Sequence, residues 1–237
     1  MRSETIRNET PTLSILIPVF NEEDTIEELI KRVKLADIGE VAKNIIVVDD
    51  GSTDSTRQIL ESVQDVKVVL HKKNQGKGVA VRTGIAVASG DIIIIQDGDL
   101  EYDPNDYKLV IGPILGEKSD VVYGSRRLKK TNQQHSALRF YFGGVFLTFL
   151  TNLLYPGAGL TDEPTCYKAF RSSLLKSIEL NCQRFEFCPE VTAKILKRGI
   201  KIVEVPISYY PRSVNEGKKI GWRDGLKAIW TLVRYRF

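Results

Sequence analysis

Cysteine is scarce in this 237-residue chain, with three copies, and so is histidine, with two. Cys166, Cys182 and Cys188 are an odd set whose spacing fits no zinc pattern. They exclude a secreted disulfide framework and read as reduced thiols of a cytosolic compartment. The polar start MRSETIRNET holds no apolar stretch, so no signal peptide is expected. No run approaches the ~20 apolar residues that cross a bilayer. The nearest, Leu138–Leu154, is broken by Arg139, Gly143, Gly144, Thr148, Thr151 and Asn152. Internal repeats, low-complexity tracts and long linkers are also missing. Phosphate-binding signatures fail in turn: there is no G-x-x-x-x-G-K-[ST], and Val81 stands where a G-x-G-x-x-G starting at Gly76 needs its last glycine.

What remains is the composition of an ordinary globular protein, long enough to bury a sizeable core in one domain. The net charge of +4 is small but uneven. Acidic clusters crowd the first hundred residues, and lysine and arginine gather from Lys197 onward. A basic end suits a phosphate or a membrane surface; nucleic acid is not expected as a partner.

Short, β-branched, nearly all-apolar runs sit at Leu13–Ile17, Ile45–Val48, Val66–Leu70, Ile92–Ile95 and Val121–Tyr123. Helical patterns separate them at Thr25–Leu35, Thr53–Val63, Lys77–Ala88 and Asn105–Leu115. Strands apolar on both faces, alternating with helices, predict an α/β fold with a doubly wound, mostly parallel sheet flanked by helices. Ligands of such sheets bind beyond the carboxyl ends of the strands. The polar residues at those ends therefore become the candidate site.

The fourth strand exit, Gln96-Asp97-Gly98-Asp99-Leu100-Glu101, is the sharpest. Side chains alternate along a strand, so Asp97 and Asp99 project to one side. Two hard oxygen donors suit Mg²⁺ or Mn²⁺, which can bridge a diphosphate and stabilise it as a leaving group. Alone, such a pair reads as turn residues before Pro104. Four apolar residues that aim it, and other polar strand ends converging on it, favour metal. At the second exit, Asp49 and Asp50 could cap a turn, but adjacent carboxylates at a core edge suit one that accepts a hydrogen bond from a nucleotide base.

The ordered series Pro18-Val19-Phe20-Asn21-Glu22-Glu23, Val48-Asp49-Asp50-Gly51-Ser52-Thr53-Asp54, Asn74-Gln75-Gly76-Lys77-Gly78, Asp97-Gly98-Asp99 and Gly124-Ser125-Arg126 resembles glycosyltransferase family 2. Asp162–Phe170, Phe185-Glu186-Phe187, Glu204–Tyr209 and Arg212–Ile220 narrow the likeness to the dolichyl-phosphate mannose synthase group and its polyprenyl-phosphate relatives. The resemblance runs from about Leu13 to the end and implies a GT-A fold with inverting transfer. By motif, Pro18, Phe20, Glu22, Val48 and Asp50 would hold the nucleotide. Asp97, Gly98 and Asp99 would engage diphosphate and metal, with Glu101 near the metal. Arg126 and Arg139 would face the acceptor phosphate and share the catalytic work with Asp97 and Asp99. Arg126 would also border the nucleotide-sugar, and Arg212 with Lys218 or Lys219 would close over its diphosphate.

The domain expectation is a flexible start at 1–12, the GT-A domain at 13–220 and a basic amphipathic helix at 221–237. That helix places Trp222, Leu226, Ile229, Val233 and Phe237 on one face, with Arg223, Lys227 and Arg234 on another, which suits an anionic membrane surface. Leu138–Leu154 reads equally as a core helix or an interfacial one. The expected protein is peripheral on the cytoplasmic face, or anchored by a separate membrane subunit. The expected reaction moves one hexose, mannose or glucose, from GDP-mannose or UDP-glucose to polyprenyl phosphate. Such an acceptor is already an anion near neutral pH and needs cations rather than a base; no Ser-His-Asp set is evident. Two alternatives stand beside this: an enzyme extending a glycan hydroxyl, which would need Asp162 or Glu163 as base, and a non-catalytic nucleotide-sugar or membrane-binding module.

Overall fold

The computed structural model describes residues 10–132, 138–212 and 221–237, and of Arg139 the backbone alone. The elements run β1 (Thr12–Val19), α1 (Ile26–Leu35), β2 (Ala42–Asp49), α2 (Thr56–Ser62), β3 (Lys67–Leu70), α3 (Lys77–Val87) and β4 (Ile92–Ile95). A 3₁₀ turn (Pro104–Asp106), α4 (Tyr107–Leu115), β5 (Val121–Ser125), α5 (Leu138–Leu154), β6 (Lys168–Arg171), α6 (Ser172–Lys176), α7 (Phe187–Lys197), β7 (Val203–Pro206) and α8 (Trp222–Arg236) follow.

The seven strands form one sheet in the order β3-β2-β1-β4-β6-β5-β7. All neighbours are parallel except β6, which runs antiparallel to both β4 and β5. Alternation along the strands supplies both cores. Ile15, Ile17, Val47, Ile92 and Ile94 meet α1, α2 and α4 on one face. Leu16, Ile46, Val48, Ile93 and Ile95 meet α3, α6 and α7 on the other. Helix α1 shows why such segments coil: Ile26, Leu29, Ile30 and Val33 fall on one face, with Glu27 and Glu28 in the first turn and Arg32 and Lys34 in the last. A third cluster, Tyr155, Ala193 and Leu232, ties α5, α7 and α8 together, and the Tyr155 hydroxyl donates to the Leu232 carbonyl at 2.9 Å.

Two helices start later than their sequence patterns imply. The second opens at Thr56 rather than Thr53, because Ser52 and Thr53 bond to Asn21 and the Asp54 carboxylate accepts from the Glu23 and Thr56 amides. The fourth opens as a 3₁₀ turn capped by Asp103. Strands β6 and β7 lie in segments that the sequence marks only as motifs.

Candidate active site

Parallel strands bring the carboxyl ends of β1, β2, β4, β5 and β7 to one edge, where a cleft of about 620 Å³ opens. Pro18, Phe20, Glu22, Asp50, Asp97, Gly98, Asp99, Glu101, Arg126 and Arg212 all line it. Val48 does not: alternation turns it into the core beside Ile46 and Ala80. The Arg139 side chain, Lys218 and Lys219 lie outside the described residues.

The two neighbouring aspartates separate by strand alternation. Asp49 accepts from Arg57 Nε at 2.6 Å and from the Ser52 amide at 3.2 Å, so it secures its own turn. Asp50 faces the next loop, where it accepts from the Gly76 amide at 2.7 Å and the Gln75 amide at 3.0 Å. His71 Nδ1 lies 2.7 Å from its other side. Lys77 leaves this loop to pair with Asp97, and its Nζ sits 3.2 Å from Cys166 Sγ. Burial is the largest single influence on Lys77 and disfavours its charge, but Asp97, by charge and hydrogen bond, together with Cys166 and Cys188 drives the pKa up. Gly98 is closely packed: a Cβ there would meet Val19 Cγ1 at 2.8 Å, so the Val19 side chain would have to shift.

Asp99 lies 3.6 Å from Arg212 Nη2, which donates to Glu22 at 2.7 Å. Glu101 accepts from the Tyr209 hydroxyl at 2.9 Å and the Arg212 amide at 2.8 Å. Its carboxylate therefore holds the segment that carries Arg212. Among the described residues, no three His, Cys, Asp or Glu side chains converge as a metal cage. Asp97 and Asp99 nonetheless present hard oxygens to one cleft, Asp97 beside Lys77 and Asp99 beside Arg212. Two such carboxylates are a donor set that would suit a hard divalent ion such as Mg²⁺ or Mn²⁺.

On the β5 side, Arg126 grips Asp162 through Nε and Nη2, both at 2.7 Å, and its own amide donates to the same carboxylate at 3.0 Å. The guanidinium also lies 5.0 Å from the centre of the Tyr209 ring and carries more N–H donors than Asp162 takes up. Burial alone would raise the Asp162 pKa; Arg126 holds it below the usual carboxylate range. Glu163 is different. It is fully buried, neither carboxyl oxygen has a well-formed hydrogen bond among the described residues, and burial, only partly offset by Lys168 and Thr192, pushes its pKa up. Neighbouring Arg127 ties the cleft to α5 through the Thr161 carbonyl at 2.6 Å and the Thr148 hydroxyl at 3.3 Å.

Sequence reasoning passed over His71 and left Lys77 loosely placed. The Asn-Gln-Gly-Lys-Gly run after β3 was their signal, because a tight turn into a helix at a strand exit must face the cleft. Asp162, considered as a base, is instead the partner of Arg126.

Fold and cleft together define a glycosyltransferase of GT-A type. The chain belongs to glycosyl transferase family 2, whose model matches residues 14–179. It is 31% identical to the UDP-N-acetylglucosamine–dolichyl-phosphate N-acetylglucosaminyltransferase of Methanococcus voltae, over 92% of this chain and 94% of that protein. It is also 31% identical to the dolichol-phosphate mannosyltransferase of Pyrococcus furiosus, over 94% of this chain but 64% of that longer protein. Among solved structures, glucosyl-3-phosphoglycerate synthase of Mycobacterium tuberculosis, in complex with Mn²⁺, UDP-glucose and phosphoglyceric acid, superposes with a TM-score of 0.73. At 24% identity, over 95% of this chain and 80% of that one, this likeness speaks for the fold alone.

Proposed function

We propose that the protein transfers one hexose, mannose or glucose, from GDP-mannose or UDP-glucose to a polyprenyl phosphate, dolichyl or undecaprenyl, with inversion. One observation carries the reading. Among the described residues, the acceptor side of the cleft offers an arginine and no carboxylate placed to act as a base. Asp162 is locked to Arg126, and Glu163 is buried beneath the cleft. A hydroxyl acceptor needs its proton removed, whereas a phosphate monoester needs only to be held.

The donor diphosphate would lie between the Asp97–Asp99 turn and Arg212, its base toward Asp50, Pro18 and Phe20. Asp97 and Asp99 would hold Mg²⁺ or Mn²⁺, which when bound supplies Lewis-acid stabilisation of the departing diphosphate. Arg212, now on Glu22 and Asp99, would turn to the phosphates, and Lys77 keeps Asp97 oriented. Arg126, steadied by Asp162, would aim the acceptor oxygen at the anomeric carbon for one in-line displacement. No side chain need accept a proton. Arg139, Lys218 and Lys219 would add charge at the same two phosphates.

The acceptor class also suits the outer surface. Leu138, Phe142, Val145, Phe146, Phe149 and Leu153 are exposed along one face of α5, and Trp222, Leu226 and Trp230 along α8, beside Arg223, Lys227 and Arg234. No helix among the described residues is long and apolar enough to cross a membrane. We place these two helices on the cytoplasmic surface of an anionic membrane, as a peripheral attachment; a membrane-anchoring subunit would reinforce it.

The test is direct. Purified protein, Mg²⁺ or Mn²⁺ and labelled GDP-mannose, UDP-glucose and UDP-N-acetylglucosamine are incubated with polyprenyl phosphate in vesicles or with free sugars. A chloroform-soluble glycolipid with a β-linked sugar phosphate by NMR is expected. Label on free sugars alone, or an α-linkage from an α-linked donor, would refute the proposal.

A further inference from the structure

The Asn74–Lys77 turn forms one wall of the cleft and is built to a tight tolerance. Gly51 has φ +80°, and a Cβ on it would meet the Asn74 amide nitrogen at 2.4 Å. Gly76 has φ +101°, and a Cβ there would meet the Gln183 carbonyl oxygen at 2.4 Å. The turn is thus sandwiched backbone to backbone between the β2 exit and the 182–185 segment. Its position in that slot is set by Asp50, whose carboxylate holds the Gln75 and Gly76 amides.

Asp50 in turn is oriented from behind. His71 is buried, follows directly on the end of β3, and has both ring nitrogens engaged. Nδ1 lies 2.7 Å from Asp50 Oδ1 and Nε2 lies 3.0 Å from Thr83 Oγ1. A carboxylate only accepts, so Nδ1 carries the proton and donates to Asp50, while Nε2 and the Thr83 hydroxyl hold the ring from its other side. The second polar partner fixes the ring plane, so that Nδ1 stays aimed at Asp50. The connected path is Thr83, His71, Asp50, the Gln75–Gly76 amides, then Lys77 on Asp97.

We propose that His71 is a positioning residue for donor binding. Its imidazole fixes the Asp50 carboxylate and, through it, the Gln75–Gly76 wall that meets the nucleotide. This rests on the reading that the Asp50 side takes the nucleotide. No reaction step passes through His71, so its loss should weaken the donor far more than it slows turnover.

Calorimetric titration of GDP and of UDP, each with Mn²⁺, into wild type and variants tests this. The Asn side chain of His71→Asn places an N–H near the Nδ1 position, and binding should stay within about threefold of wild type. His71→Leu removes the donor altogether, and His71→Gln reaches toward Thr83 rather than Asp50. Both should weaken binding about tenfold or more, the scale of one charge-assisted hydrogen bond, with kcat at saturating donor nearly unchanged. Leu binding like wild type, or Asn and Leu falling together, would overturn the proposal. If the His71 variants fail to fold, Thr83→Val decides: weaker nucleotide binding in a folded protein supports it, and unchanged binding overturns it. A wild-type protein that binds neither nucleotide would instead defeat the transferase reading itself.

Discussion

Replacing Asp162 by asparagine separates a residue that holds a cation from one that removes a proton. Asn keeps the shape and removes the charge. Its amide nitrogen would face Arg126 Nε or Nη2, each now 2.7 Å from a carboxylate oxygen, so donor would meet donor. Removing one partner of a buried ion pair costs about 3–5 kcal/mol. Arg126 is 23% exposed and can turn toward water, which places the loss near the lower end, about 3 kcal/mol. For a domain of this size that lowers Tm by about 6–12 °C, and a stability of about 5–15 kcal/mol leaves the variant folded at 25 °C. In kinetics, an unaimed Arg126 should raise the acceptor KM roughly ten- to a hundredfold, the scale of a charge-assisted hydrogen bond, with the donor KM unchanged. Thermal melts followed by circular dichroism and steady-state transfer to polyprenyl phosphate measure both. A variant that binds both substrates normally yet has no turnover would mark Asp162 as a general base and refute this account.

Asp97→Ala and Asp99→Ala should each cut transfer roughly a hundredfold or more, the worth of several kcal/mol at a departing diphosphate, while circular dichroism stays native; normal transfer by both variants in EDTA would sink the metal assignment. Glu163→Gln tests a sign. Burial raises the Glu163 pKa in the folded state, so the wild-type carboxyl stabilises below its unfolded pKa of about 4.3 and that contribution is lost as pH rises through the folded value. The variant should therefore gain stability relative to wild type at pH 7, and the gain should vanish below about pH 4; urea melts showing a gain only in acid would reverse the reasoning.

Much of the donor side was legible because it is local. Ile92–Ile95 can only be a strand buried on both faces, and the residues that follow such a strand must emerge at the sheet edge. That alone put Asp97 and Asp99 in a cleft, with Asp50 and Glu22 beside them. Val48 shows the other outcome of alternation. It carries the family motif, yet alternation within β2 sends its side chain into the core.

The order of residues along this chain determined the alternation of strands and helices, the edge where the site lies and the acidic pair that marks it, since each follows from side-chain period and from contacts within a few residues. Only the tertiary structure decided which charges meet. Strand β6 inserts antiparallel between β4 and β5, and the loop before it brings Asp162 onto Arg126, thirty-six positions away. The β7 segment lays Tyr209 and Arg212 on Glu101, and the β3 exit sets His71 behind Asp50. Such pairings depend on loop paths that no periodicity encodes, and a buried charge takes whichever partner the packed backbone brings within hydrogen-bond reach.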